Sequence, residues 1–308
     1  MAADCALSPR PPIDAATRLL GVIGHPVGHS LSPALHNYAL TLLAREHPPA
    51  AVNYRYLAFD VTPADLPQAM AGFRALGLAG INATIPHKES LPDLLDGLST
   101  TAAAIGAVNT VVRETDGRLI GHNTDAWGFT TALCEALGRS PAGAHVVMIG
   151  AGGAARAVLY ALLAAGVAQV TVVNRTLSRA RNLIQSLSCH GPSVHLQAAP
   201  LHPDSWPLDR TDILINTTSL GLKPETGDTL DFNAVVAALP DHALAHDIVY
   251  ARGATPLVRA ARQRGLAHAD GLSMLVHQGA QALQLWTGLS LPAQDVIAHL
   301  RSLTGEMS

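Results

Sequence analysis

Short runs of β-branched and apolar residues alternate along the chain with longer stretches that are rich in alanine and leucine. In the first part of the sequence the short runs predict strands, and the stretches between them predict helices. Strands that alternate with helices are typical of a largely parallel sheet with helices on both faces. The predicted strands are residues 19–24, 53–59 and 80–84, and the predicted helices are near 33–45 and 63–76.

A second alternating series begins near residue 145. Two such series predict an α/β protein with two open sheets, and therefore two domains with a cleft between them. We expect residues 1–124, completed by C-terminal helices within 272–308, to form one domain, and residues 125–271 to form the other. The strands of the second series are predicted at 145–150, 170–174, 194–197, 213–216 and 244–249, with helices near 153–165, 176–186 and 255–265.

The composition excludes several classes of protein. A chain of 308 residues that is 48% hydrophobic and 14% charged has enough apolar material for two cores. A formal net charge of −3, with no block of like charges, argues against nucleic acid or a membrane as a partner. Residues 154–173 are nearly all apolar, but Gly166 separates an alanine-leucine half from a valine-rich half. A buried helix followed by a buried strand explains that stretch better than a membrane span.

Cysteine and histidine give no sign of a disulfide framework or a metal site. Cys5, Cys134 and Cys189 are odd in number and widely spaced. His25 and His29 lie in a loop rich in proline and glycine, so we predict no metal. The first residues lack the charged and apolar segments of a signal peptide, and we expect a cytoplasmic protein. Monomer and homodimer both remain open.

The most informative local pattern is a strand, a glycine turn and a helix near residue 150. It fits G-x-G-x-x-A, with Gly150, Gly152 and Ala155 at the fixed positions. Gly150 permits the tight turn, and Gly152 lets the backbone approach a pyrophosphate at the helix N-terminus. An ordinary glycine turn before a helix is the alternative, but the flanking strand and helix favour a dinucleotide site.

The end of the next strand indicates which dinucleotide binds. An acidic residue at this point would hold the ribose of NAD, whereas this chain has Asn174, Arg175 and Thr176, with Arg179 one turn further on. A 2′-phosphate needs a cation with several donors, which arginine provides. Solvated charges at a helix start are the alternative, although the helix dipole disfavours cations there. The sequence therefore predicts NADP rather than NAD.

Polar clusters in the first half of the chain follow predicted strands or precede predicted helices. Ser32 alone would be an ordinary N-cap, but Ser30 and Ser32 together could donate to a substrate carboxylate. Lys88 is placed in a predicted first helical turn, where the dipole opposes its charge, so it is a candidate for proton transfer. A flexible surface lysine is the alternative. Asp125 could cap the next helix or, beside Lys88, could polarise a hydroxyl.

Taken in order, these segments resemble the shikimate dehydrogenase family. The resemblance runs through S-L-S-P, N-A-T-I-P-H-K, G-A-V-N-T, N-T-D, G-A-G-G-A-A-R, N-R-T, N-T-T-S, D-I-V-Y and D-G-L-S-M-L-V-H-Q. It covers the chain from about residue 19 to the last helices. It implies a Rossmann-type NADP-binding domain and the reversible reduction of 3-dehydroshikimate to shikimate by hydride transfer.

The resemblance also implies roles for individual residues. Lys88 and Asp125 would form the catalytic pair on the substrate hydroxyl, and Ser30 and Ser32 would bind the carboxylate. The residues implied to bind the ring hydroxyls are Thr84, Asn109, Tyr250 and Gln278. Those implied to bind NADP are Gly150 to Ala154, Asn174, Arg175, Thr176 and Arg179. Ile248 and Gly271 would lie beside the nicotinamide.

Other functions stay compatible with this pattern. A quinate/shikimate dehydrogenase would accept a ring with an extra hydroxyl and could use NAD, but Ser30, Ser32 and the acid-free run 174–176 favour shikimate and NADP. A ligand-sensing regulator on the same fold would have lost catalysis, which the retained Lys88 and Asp125 and the lack of a basic patch argue against. A third alternative is an oxidoreductase with a Rossmann-type domain that acts on another substrate. It applies if the polar clusters of the first domain only cap helices and form turns.

Overall fold

A computed structural model describes residues 10–220, 230–251 and 253–305. The chain divides into two compact units, of which the first contains residues up to Thr124 and residues 278–300, and the second contains residues 125–277 and those from Arg301 onward. Cys5 lies outside the described residues, and Cys134 and Cys189 are free thiols. Within the described ranges no helix has the length and apolar character needed to cross a bilayer.

The described part of the first unit contains a six-stranded sheet with the strand order β2-β1-β3-β5-β6-β4. Pairs β1–β2, β1–β3 and β4–β6 are parallel, whereas β3–β5 and β5–β6 are antiparallel. The strands are β1 (Arg18–Gly24), β2 (Tyr54–Asp60), β3 (Gly80–Ala83), β4 (Gly97–Leu98), β5 (Thr110–Arg113) and β6 (Leu119–His122). The helices before residue 125 are α1 (Ser32–Leu43), α2 (Pro49–Val52), α3 (Leu66–Leu76) and α4 (Thr100–Ile105), and residues 278–300 add parts of the last two helices of the chain to this unit.

Local sequence explains how the helices of this unit begin and end. Pro33 occupies the first turn of α1, where its missing N–H costs nothing. α3 ends at Gly77, whose φ of 65° lies in the left-handed region that favours glycine. Ser99 caps α4, because its hydroxyl accepts a hydrogen bond from the Ala102 N–H. One side of the sheet packs on a core of buried residues that includes Phe73.

The described part of the second unit contains a six-stranded parallel sheet with the order β12-β11-β10-β7-β8-β9. If β7 to β12 are renumbered 1 to 6, the order read from the β9 edge is 3-2-1-4-5-6. This is the strand order of dinucleotide-binding sheets. The strands are β7 (His145–Ile149), β8 (Gln169–Asn174), β9 (His195–Pro200), β10 (Ile213–Asn216), β11 (Leu244–Asp247) and β12 (Ala267–Ala269). The helices from residue 125 onward are α5 (Asp125–Leu137), α6 (Gly153–Ala164), α7 (Leu177–Leu187), α8 (Phe232–Ala237), α9 (Pro256–Arg264), α10 (Gly271–Thr287) and α11 (Ala293–Thr304).

The predicted α/β class, with two mostly parallel sheets, is confirmed. The apolar stretch 154–173 is a helix and a strand, α6 and β8, as predicted, with Gly166 between them at a φ of 70°. The sequence did not predict β4, β5, β6 and β12, which have two to four residues each. The two and three residues of β4 and β12 are too few to show a hydrophobic period.

Candidate active site

The glycine turn in the second unit joins β7 to α6. Gly150 has a φ of 117°, and a Cβ built on it would lie 2.2 Å from Thr217 Oγ1, so the turn itself requires glycine there. Gly152 is the N-cap of α6 at a φ of −103°, with no side-chain cap bond. Apart from its two chain neighbours, no described residue has an atom within 4 Å of a Cβ built on Gly152. The backbone beside the N-terminus of α6 is therefore open to an anionic group.

The loop after β10 supports this turn. Thr217 donates both its N–H and its hydroxyl to Ile149 O, at 2.8 and 2.7 Å. Asn216 accepts from the Thr218 N–H at 3.1 Å and from the Thr218 hydroxyl at 2.7 Å, which closes the loop on itself. The N-T-T-S run is part of the family resemblance, but the sequence did not predict the packing of Thr217 under Gly150.

The end of β8 carries the predicted 2′-phosphate residues. Asn174 donates its side-chain N–H to Thr176 O at 2.9 Å, which fixes the bend before α7. Arg175 lies before the helix and Arg179 lies in its first turn, and both are exposed. Within the described part of the chain neither arginine has an acidic partner. Two guanidinium groups without an acidic partner, beside the dinucleotide-type turn, have the charge and the donors that an additional phosphate would need.

The structure brings Ile248 and Gly271 together. A Cβ on Gly271 would lie 2.1 Å from Ile248 O, so only glycine allows this close approach. The Gly271 N–H donates to Val249 O at 3.1 Å, and the Ile248 N–H donates to Asn216 O at 3.0 Å. The start of α10 is thus attached to the segment that follows β11. Tyr250 ends this segment and is partly buried.

In the first unit, Thr84 lies against the end of β1. Its N–H donates to Ile23 O at 2.9 Å, and a Cβ on Gly24 would lie 2.4 Å from the Thr84 methyl group. The loop after Gly24 carries Ser30 and Ser32. Ser32 is the first residue of α1 rather than its N-cap, and its N–H donates to Ser30 Oγ at 3.3 Å. The N-cap interpretation of Ser32 is therefore wrong.

Asn109 and Gln278 meet in a buried network of the same unit. Asn109 Nδ2 donates to Gln278 Oε1 at 3.2 Å and to Thr124 Oγ1 at 2.9 Å, while Asn109 Oδ1 accepts from the Thr124 N–H at 2.8 Å. Asn109 is 2% exposed. Thr124, which the sequence did not single out, lies directly before Asp125. Asp125 is the first residue of α5 and is itself buried.

Lys88 lies in a single 3-10 turn, His87–Glu89, and not in the first turn of an α-helix. The prediction of a helix there was wrong, because this segment continues as short turns rather than as a periodic helix. The dipole of an α-helix therefore does not act on Lys88 and gives no reason to assign it a proton-transfer role. The backbone of Lys88 is held in place, since Lys88 O accepts from the Val108 N–H at 2.8 Å. This bond fixes Lys88 beside the segment that carries Asn109.

Some histidines of the two units are buried core residues, and others contact carboxylates. Burial lowers the pKa of His36 to about 3 and that of His246 to about 4, so both are neutral at physiological pH. His36 stacks on Tyr56 with ring centroids 4.2 Å apart. His25 Nδ1 lies 2.7 Å from Asp60 Oδ1. The described residues contain no group of three or more His, Cys, Asp or Glu side chains that could hold a metal ion.

The parallel sheet of order 3-2-1-4-5-6, the glycine turn and the unpaired arginines are the features of a dinucleotide-binding oxidoreductase. Residues 22–111 match the shikimate dehydrogenase substrate binding domain, residues 133–225 match shikimate / quinate 5-dehydrogenase, and residues 271–301 match the shikimate 5′-dehydrogenase C-terminal domain. The chain belongs to the shikimate dehydrogenase family, and the resemblance seen in its sequence is confirmed.

Known proteins similar to the chain span almost its whole length. Shikimate dehydrogenase (NADP(+)) of Magnetococcus marinus is 50% identical over 289 residues, which are 94% of this chain and 97% of the relative. The structure of Thermus thermophilus shikimate 5-dehydrogenase in complex with NADP(H) and shikimate has a TM-score of 0.78 at 37% identity, covering 93% and 99% of the two chains. Quinate dehydrogenase of Corynebacterium glutamicum in complex with NAD has a TM-score of 0.80 at 31% identity, covering 93% and 99%.

Proposed function

We propose that the chain catalyses the NADP-dependent, reversible reduction of 3-dehydroshikimate to shikimate, a step in the biosynthesis of chorismate and the aromatic amino acids. The observation that carries the proposal is the 50% identity, over nearly the whole chain, to a relative named shikimate dehydrogenase (NADP(+)). The sites of both units support it, because most candidate groups lie near a strand end or a helix start, although Gln278 lies within α10 and Lys88 in a 3-10 turn. The cytoplasmic location and the domain limits 1–124 with 272–308 and 125–271 stay predictions.

NADP is the proposed cofactor, and it supplies the hydride chemistry when bound. The open backbone at Gly152 and the N-terminus of α6 suit its pyrophosphate, and Arg175 and Arg179 suit its 2′-phosphate. Ile248 and Gly271 would border the nicotinamide. The proposed cofactor contacts are Gly150, Ala151, Gly152, Gly153, Ala154, Asn174, Arg175, Thr176, Arg179, Ile248 and Gly271.

Lys88 and Asp125 are the proposed catalytic pair. During shikimate oxidation the ring C–H bond breaks and its hydride leaves the carbinol carbon, while the hydroxyl proton passes to this pair as the carbonyl forms. In the reverse direction the pair returns the proton to the new alkoxide. A cationic ammonium beside the oxygen also stabilises its developing negative charge.

The proposed substrate contacts are amides and hydroxyls of the first unit together with Tyr250. Ser30 and Ser32 would donate to the carboxylate, and Thr84, Asn109, Tyr250 and Gln278 would bind the ring hydroxyls. The 3.2 Å bond between Asn109 and Gln278 supports this assignment, because it places two amides side by side. An amide can both donate to and accept from a hydroxyl, which suits a polyhydroxylated ring.

The test is NADPH formation, followed by absorbance, with purified protein, shikimate and NADP, and with NAD and quinate in parallel. Rapid turnover that prefers shikimate with NADP supports the proposal. Preference for quinate and NAD would favour the rival that the Corynebacterium glutamicum structure exemplifies. Ligand binding without turnover, in folded protein, would favour a sensor.

Replacement of Lys88 tests the catalytic pair. We expect Lys88→Ala to abolish most of kcat while NADP affinity, measured by calorimetry, stays near that of the parent. Glu89→Gln is the matched control, because Glu89 lies in the same 3-10 turn and is exposed. Near-normal turnover of Lys88→Ala would refute the assignment.

A further inference from the structure

A buried carboxylate that the proposed mechanism does not use ends β11. Asp247 is 1% exposed. Its Oδ1 accepts from the Val249 N–H at 3.1 Å and from Asn216 Nδ2 at 3.2 Å, and the Thr255 side chain also bonds to the carboxylate. A buried carboxylate is costly unless donors surround it in this way. Asp247 is thus held at a point where the backbone leaves the sheet.

The charge of Asp247 is sustained by these donors against its burial. Burial raises the pKa of Asp247 to about 6, the bonds from Thr255, Val249 and Asn216 oppose that rise, and the charge of Asp270 adds to it. Asp270 in turn lies 3.5 Å from Arg301. At neutral pH the carboxylate is ionised, and charge-assisted bonds of this kind are stronger than neutral ones.

On one side Asp247 is connected to the support of the glycine turn. Asn216 pairs with Asp247 in the register of β10 and β11. The same Asn216 holds Thr218, and the intervening Thr217 packs under Gly150. The orientation of the Asn216 amide therefore depends on the carboxylate and controls the loop of residues 216–218.

On the other side Asp247 is connected to the proposed border of the nicotinamide. Its bond to the Val249 N–H curls the backbone just after β11. Ile248 lies within that curl, and Val249 O accepts from the Gly271 N–H at 3.1 Å. A displaced Val249 would therefore shift Ile248 and the start of α10 together.

We propose that Asp247 is a positioning residue for hydride transfer, which fixes the loop 216–218 and the segment 248–250 in one arrangement and so orients the nicotinamide. This inference rests on the proposed function. Asp247, the first residue of the D-I-V-Y segment, bonds to Asn216, the first residue of the N-T-T-S segment, so one carboxylate holds both segments in place. Misplacement by about 1 Å costs on the order of 100-fold in rate when reacting groups must align.

The test compares Asp247→Ala and Asp247→Asn with the parent in the full chain. Three quantities are measured: kcat, the primary isotope effect with shikimate deuterated at the oxidised carbon, and the affinities for NADP and for adenosine 2′,5′-bisphosphate, which lacks the nicotinamide half. For Asp247→Ala we expect kcat to fall about 10- to 100-fold. We also expect a larger isotope effect and weaker NADP binding, with a smaller loss of affinity for the bisphosphate, which can reach the glycine turn but not the nicotinamide border. Asn keeps an acceptor oxygen for Val249 and Asn216, so it should restore most of the rate.

Controls separate positioning from a general loss of structure. Asp241→Asn removes a carboxylate of the same unit that is exposed and pairs only with Arg264 in the described part of the chain, so it should change none of these quantities. If Asp247→Ala does not fold, Asn216→Ala, which removes the partner amide, should give the same pattern. A folded Asp247→Ala with unchanged isotope effect and NADP affinity, or equal weakening of NADP and the bisphosphate, would overturn the proposal. If the parent itself does not oxidise shikimate, the proposed function fails, and the two affinities still decide the role of Asp247.

Discussion

The two fixed glycines of the G-x-G-x-x-A turn predict opposite effects of one added methyl group. Gly150→Ala places a Cβ at a φ of 117° and 2.2 Å from Thr217 Oγ1. Gly152→Ala places a Cβ at a φ of −103°, in a region where the described residues have no atom within 4 Å. We therefore expect the first variant to lose stability and the second to lose cofactor affinity.

The magnitudes follow from the local geometry. A residue with a side chain at such a φ costs about 1–3 kcal/mol. Displacing Thr217 also removes the bond from its hydroxyl to Ile149 O, worth about 1 kcal/mol. Together these lower the free energy of unfolding by about 2–4 kcal/mol, and Tm by roughly 5–15 °C. For Gly152→Ala, the poorer N-cap and the reduced entropy of the unfolded chain each amount to about 0.5–1 kcal/mol with opposite signs, so Tm should hardly change.

The assay pairs thermal unfolding by circular dichroism with calorimetric titration of NADP. Gly152→Ala should keep the Tm of the parent and bind NADP at least about tenfold more weakly, since the methyl group occupies the approach to the pyrophosphate. Equal loss of Tm in both variants would refute the geometric distinction between the two glycines. Parent-like NADP binding by Gly152→Ala would show that the pyrophosphate does not lie on this turn.

Three further predictions concern the second unit. Arg175→Ala should raise KM for NADP about 10- to 100-fold and leave KM for NAD unchanged, whereas Arg181→Ala, on the exposed side of α7, should change neither. Gly271→Ala should lower the free energy of unfolding by about 1–3 kcal/mol in urea titrations, because its Cβ meets Ile248 O at 2.1 Å; an unchanged midpoint would contradict this. Because burial raises the pKa of Asp247 to about 6 in the folded chain, its carboxyl group is ionised in the unfolded chain, but still protonated in the folded one, between pH 4 and 6. The free energy of unfolding therefore falls as pH rises through that range. The amide of Asp247→Asn does not ionise, so the free energy of unfolding of this variant, relative to the parent, should rise by up to about 3 kcal/mol from pH 4 to 6. A difference between the two proteins that stays the same across this pH range would refute the prediction.

The second unit is the part of the fold that the sequence predicts best. Its first two strands, β7 and β8, are buried runs rich in β-branched residues, and each is followed by a helix of 11 or 12 residues, so both periods are visible there. The turn at Gly150 is also predictable, because its φ of 117° and its contact with Thr217 restrict the position to glycine. The contact partner itself is not predictable, since it depends on the register between β7 and β10.

The polar residues of the first unit show where such reasoning ends. The side-chain bonds of Asn109 to Thr124 and Gln278 join positions that are 15 and 169 residues apart. No local pattern encodes such pairs. The 3-10 turn at Lys88 was missed for a related reason, because one turn is too short to show a period. Here the family resemblance identified residues whose placement only tertiary structure could reveal.

The indole of Trp286 has a practical consequence. It is buried, donates to Val111 O at 3.0 Å and lies against the rings of His36 and Tyr56. The chain has three tryptophans, of which Trp286 belongs to the first unit and the others, Trp127 and Trp206, to the second. A chain with phenylalanine at 127 and 206 would therefore emit tryptophan fluorescence from the first unit alone, and Trp286→Phe would restrict that emission to the second. The tryptophans already present in the chain can thus report the unfolding of each unit separately by fluorescence, without an attached dye.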